Sequence, residues 1–139
     1  MSKYLKLTIF LGLIVIALTG CDLFSSKLSS SERLEAFEDE LNGSSRTTTV
    51  NHIHPDALGY SSINEAFWDG GPLSAANRPF DFSGVVLGAE NNGIIIGTGI
   101  MTNNSGDQTI NSIQFKESPV GSNDWYILSI MINGSEIFQ

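Results

Sequence analysis

Two places in this chain hold residue types that could do chemistry. One is Cys21, the only cysteine among 139 residues, set directly after Leu18-Thr19-Gly20. A lone thiol excludes an internal disulfide framework and a cysteine-rich zinc centre. The other is His52-x-His54-x-Asp56. Two imidazoles two residues apart on a strand share a face, and a carboxylate could complete a zinc site. The same residues could instead form a catalytic dyad, a histidine acting as general base and Asp56 orienting it. Against both stand Pro55, which breaks a strand, the lack of a third histidine, and the expected turn around Asp56. The preferred reading is therefore structural, with no metal or cofactor: turn residues making local hydrogen bonds. No Gly-x-Ser-x-Gly elbow, phosphate loop or dinucleotide fingerprint occurs, and Gly97-Thr98-Gly99 falls inside an expected strand.

Charge narrows the field further. The chain carries seven basic and fifteen acidic residues, a net charge of −8. Two of the bases, Lys3 and Lys6, precede Cys21, so the chain from Cys21 onward holds five bases against fifteen acids, a net −10. Nucleic-acid recognition needs clustered Lys and Arg, so no nucleic-acid partner is expected.

The N-terminus has signal-peptide anatomy: cationic Lys3 and Lys6, an apolar run from Leu7 to Leu18, then small residues. That run is about 12 residues, short of the roughly 20 that span a bilayer. Leu18-Thr19-Gly20-Cys21 resembles the lipobox of bacterial lipoproteins. The resemblance implies cleavage before Cys21, diacylglycerol on its sulfur and further acylation, as with palmitate. Several acyl chains suffice for stable anchoring. Residues 1–20 are then a removable signal peptide and residues 21–30 a lipidated cysteine with a serine-rich tether. The expected location is the cell envelope, with the domain outside the cytoplasm and lipid-anchored to a bacterial membrane.

The remainder, residues 31–139, must position any site. Ser29-Ser30-Ser31-Glu32 offers a capping box, and Leu34, Phe37 and Leu41 recur at helical spacing before Asn42-Gly43. Glu32, Glu35, Asp39 and Glu40 are expected on the wet face. Thr47 to Val50 favours a strand by propensity. Ser62 to Trp68 predicts a second short helix, stopped by Asp69-Gly70-Gly71-Pro72. From Phe80 the period becomes that of strands: 82–89, 94–102, 108–117, 125–132 and a short 135–139, separated by Asn-, Gly-, Asp- and Ser-rich turns. Both faces of 125–132 are apolar, which predicts a central strand covered on two sides or lining a cavity. Helices followed by an antiparallel meander make an α+β domain.

The order of Arg33-Leu34-x-x-Phe37-x-x-x-Leu41-Asn42, a proline-containing segment, a helix ending Phe67-Trp68 and a hairpin series resembles the nuclear transport factor 2-like superfamily. His52-Ile53-His54-Pro55-Asp56 with Trp125-Tyr126 is similar to small lipoproteins of that superfamily. The resemblance implies helices closing a curved antiparallel sheet into a cone with an internal pocket. Trp68, Phe82, Trp125 and Tyr126 are the candidate ligand-binding residues, and core packing is their competing role. The superfamily contains isomerases, dehydratases and hydrolases as well as binding modules, so fold does not decide function. The expectation is a non-catalytic lipoprotein that binds a small apolar ligand or an envelope protein. Homodimer formation is open. The alternative is an enzyme using His52, His54 and Asp56.

Overall fold

The computed structural model describes residues 27–139, so the expected signal peptide and Cys21 lie outside the described residues. Helix α1 spans Ser30–Asn42 and begins as its sequence predicts. The Ser29 hydroxyl accepts from the Glu32 amide at 3.3 Å, and the Glu32 carboxylate accepts from the Ser29 amide at 2.9 Å. This reciprocal pair satisfies two otherwise orphaned donors. At the far end Gly43 is extended, and its N–H returns to the Glu40 carbonyl. Leu34, Phe37 and Leu41 face the core, joined by Arg33. Glu40 departs from its expected place in water, because it is half-buried against His52.

Residues 43–80 form neither the expected strand nor a second α-helix. They carry four 3-10 segments, Thr49–His52, Tyr60–Ser62, Glu65–Asp69 and Ala75–Asn77. The Thr49 hydroxyl donates to the Arg46 carbonyl at 2.8 Å, a local bond that competes with strand pairing. Farther on, Asn64 is the cap in place of Ser62, accepting from the Phe67 amide at 3.2 Å. Only one 3-10 segment fits before Gly70-Gly71, yet it delivers Trp68 into the core at 1% exposure. The buried Arg46 then ties this loop to α1. Its guanidinium donates to the carbonyls of Leu41, Trp68 and Leu73 at 2.9–3.1 Å.

The meander comprises β1 (Asp81–Leu87), β2 (Ile94–Asn103), β3 (Gly106–Glu117), β4 (Trp125–Ile132) and β5 (Ser135–Glu136). Its strands pair antiparallel in sequence order. Asn92-Gly93 and Asn133-Gly134 close two hairpins with positive φ at both residues, the conformation that Asn-Gly favours. The sheet is irregular. β1, β3 and β4 each slip register against a neighbour.

The slip in β4 corrects the expectation of a strand covered on two sides. Ile127 pairs with Phe115 but Ser129 pairs with Gln114, so Leu128 is an extra residue. A bulge of this kind reverses the alternation. Trp125, Ile127, Ile130 and Ile132 therefore all reach one core, whereas Tyr126, Leu128, Ser129 and Met131 are half-buried. Between β1 and β2 the chains approach closely at two glycines. Gly99 has φ +152°, and a side chain there would run into the Gly84 carbonyl oxygen.

One core lies between α1, the 3-10 loop and the inner face of the sheet. Phe37 is its hub, meeting Trp68 edge-on at 5.8 Å between centroids and Phe82 at 6.3 Å. Among the described residues no helix is long and apolar enough to cross a membrane.

Candidate functional site

The fold takes the His52-His54-Asp56 cluster apart. His52 ends a 3-10 turn, and Ile53 then bridges Ile127 in parallel, so the strand spacing that would align two imidazoles does not operate. His52 faces α1. Its Nδ1 lies 3.3 Å from Arg33 Nη1 and its Nε2 lies 3.2 Å from Glu40 Oε1, without hydrogen-bond alignment at the latter. An arginine can only donate, so Nδ1 is the acceptor and the neutral ring carries its proton on Nε2. Burial holds this imidazole below the usual histidine range; Glu40 opposes that shift and Arg33 adds to it.

His54 faces elsewhere. Its Nδ1 accepts from the Asp56 amide at 3.0 Å, which again fixes the Nε2–H tautomer. Burial lowers its pKa first, with Asp56 raising it and Lys116 lowering it. Asp56 itself is exposed, and its carboxylate pairs with Lys116. That partner, chiefly by its hydrogen bond, holds the Asp56 carboxyl below its ordinary value. Each imidazole thus uses one nitrogen in a structural bond. Among the described residues no three His, Cys, Asp or Glu side chains are grouped to hold a metal ion.

Arg33 organises this side of the molecule, although in the sequence it stands out only as the first residue of the α1 pattern. Nε donates to the Trp125 carbonyl at 2.6 Å and Nη2 to Asp124 Oδ1 at 2.8 Å. The guanidinium also lies 4.2 Å above the Tyr126 ring. Asp124 in turn accepts from the Leu28 amide at 3.1 Å and from the Tyr126 hydroxyl at 2.8 Å. Burial, then the Asp124 bond, pushes the Tyr126 phenol above its usual value, so it stays protonated. The network joins the start of α1 to the start of β4. Its signal was present in the helix spacing, since Arg33 stands one turn before Phe37 on the buried stripe.

The four aromatic candidates do not converge. Phe82 borders a cleft of about 310 Å³ between α1 and β1, and Trp68 borders another of about 270 Å³ beside Phe67 and Ile137. Trp125 is 8% exposed in the core, and Tyr126 lies under Arg33. Trp68, Phe82 and Trp125 all belong to the packed core.

The cleft between α1 and β1 is the open site that carries a cluster of carboxylates. Leu34, Val85 and Leu87 join Phe82 as its floor, and Glu35, Glu38 and Asp81 stand around it. Glu38 Oε2 accepts from the Phe82 amide at 2.8 Å. Burial raises the Glu38 carboxyl above its ordinary value; the Phe82 amide opposes this, and the negative charges of Asp81, Asp39 and Glu35 add to it. No base lines the cleft. The chemistry on offer is recognition of an amphipathic or cationic group. Comparison with protein-family models, with characterised proteins and with solved structures found no match to this chain.

Proposed function

We propose that this protein is a lipid-anchored extracytoplasmic lipoprotein of the bacterial envelope, whose α+β domain binds a partner and does no catalysis. The observation that carries the binding reading is how charge is distributed around α1. Each histidine has one ring nitrogen in a structural bond, whereas the cleft beside β1 stays open, with Leu34, Val85 and Leu87 in its floor and Glu35, Glu38 and Asp81 around it facing no cation. Glu38 is a shifted titratable group in the cleft, but its carboxylate is engaged by the Phe82 amide at 2.8 Å, whereas an enzyme's shifted group should stand beside a reacting position. The cleft is at the lower end of small-molecule pocket sizes, and its acidic rim favours an envelope protein over a small apolar ligand.

The anchor rests on Leu18-Thr19-Gly20-Cys21 and the cationic, apolar leader. The helix-first order and the bulged antiparallel meander support kinship with the nuclear transport factor 2-like cones. Here one α-helix and a run of 3-10 segments, rather than several helices, close the sheet. Palmitate labelling with membrane fractionation tests the anchor. The wild-type chain should label and sediment with membranes, and Cys21→Ala should do neither. A Cys21→Ala chain that labels and stays membrane-bound sinks the reading.

A further inference from the structure

We propose that the free edge of β1 accepts a β-strand from a basic partner protein, an extended segment alternating cationic and apolar side chains. The inference rests on the binding half of the proposed function and is independent of the lipid anchor.

The edge follows from the ladder. Among the described residues β1 is the first strand of the sheet and has a neighbour on one side only. Gly88 donates to the Ile96 carbonyl, and Val86 and Gly84 follow in regular register opposite Thr98 and Ile100. In an antiparallel pair alternate residues point their N–H and C=O groups to opposite sides. Val85 and Leu87 therefore direct theirs at the open edge. Natural edges are blunted by lysine, proline, bulges or coverage. The start of β1 follows that rule, with a register slip after Asp81, Glu38 on the Phe82 amide, and Asp81 on the Ser83 amide. Beyond Ser83 the protection stops. The strand has no lysine or proline, and its last residues form a usable template for strand addition.

Two different surfaces border this edge, and together they specify the guest. On the inner side is the cleft, with Glu35 and Glu38 above its Leu34 and Val85 floor. Lysine or arginine fits there, laying its aliphatic stem on the apolar floor and its charge against the carboxylates. On the outer side Val86, Ile96 and Ile100 are 73%, 48% and 40% exposed. They share a face opposite Val85 and Leu87. Apolar guest side chains pointing outward would continue that face. A strand places successive side chains on opposite faces, so the matching guest reads cationic, apolar, cationic, apolar. Charge argues against a second copy as the occupant, because pairing two β1 edges would bring two sets of Glu35, Glu38 and Asp81 together.

The test uses the full chain in neutral detergent, isotope-labelled for amide resonances, titrated with a synthetic peptide alternating lysine and valine. The expected result is saturable binding that shifts the Val85 and Leu87 amides and disappears when alternate peptide amides are N-methylated. Glu35→Lys should weaken binding about fivefold, as expected for reversal of an exposed charge at low salt. Equal binding by a peptide with lysines and valines in separate blocks, or by one alternating glutamate and valine, overturns the proposal. So does absence of shifts at Val85 and Leu87. Shifts there that depend on protein concentration alone would assign the edge to a second copy and equally overturn it. Loss of peptide binding with Cys21 labelling intact removes this inference and leaves the anchor standing.

Discussion

Helix α1 has two flanks, and they treat charge in opposite ways. Toward β4, Arg33, Asp124, Tyr126 and His52 are buried or half-buried and bonded to one another. Toward β1, Glu35, Glu38 and Asp81 surround an open cleft without a cation among them. A buried ion pair such as that of Arg33 with Asp124, with further hydrogen bonds on both partners, holds segments together and leaves those groups engaged in the fold. Of the carboxylates at the cleft, Glu35 and Asp81 are exposed, and an exposed carboxylate contributes little to folding and keeps its charge for a partner. The chemistry-bearing residue types therefore lie mainly where the fold consumes them, and the available surface lies where residue types alone look ordinary.

Substitutions separate the two flanks. Arg33→Met should be the most costly, about 3 kcal/mol, because it leaves Asp124 and the Trp125 carbonyl short of partners. Chemical denaturation checks this, and a loss below about 1 kcal/mol would break the contrast. Gly99→Ala should cost a comparable amount, about 3 kcal/mol, through strain at positive φ and collision with Gly84. It would detach the β1 edge while sparing the Arg33 network, a difference visible in amide exchange along each strand.

Smaller effects follow. Ser29→Ala removes the capping box and should cost about 1 kcal/mol, read as a lower denaturation midpoint at unchanged slope. Acid should also destabilise the closed flank. Both histidines have lowered pKa values in the fold, so the unfolded chain takes up protons first as pH falls. Their contribution is complete above about pH 6.5, the ordinary histidine value, and is lost as pH drops toward their folded values. His52→Gln should flatten that slope; an unchanged slope means His52 does not carry it. Least of all, Glu35→Ala should change stability by less than about 0.5 kcal/mol. A larger loss would mean the open flank is structural after all.

The two flanks were unequally legible from sequence. Four of the five strands began and ended within two residues of their expected positions, because turn residues and hydrophobic runs are local signals. The start of α1 was equally plain, since a capping box is a contact between residues three apart. Residues 43–80 were harder. Their conformation is set by Arg46 reaching the distant carbonyls of Trp68 and Leu73 and by Trp68 entering the core, neither of which propensity records. The apolar outer face of β4 was misleading for a related reason: Leu128 bulges, and one extra residue inverts the alternation beyond it.

The sequence by itself determined the acidic balance, the strand meander, the first helix and the lone cysteine beside its lipobox-like neighbours. Each is written in composition or in residues a few positions apart. Only the tertiary structure decided that His52 and His54 part company, that Arg33 joins Asp124 across 91 positions, and that β1 is left with an open edge. Those outcomes depend on which distant segments pack together and on where a register slips. Burial and pairing are properties of the assembled neighbours, so the same histidine or strand has a different chemistry once its surroundings are fixed.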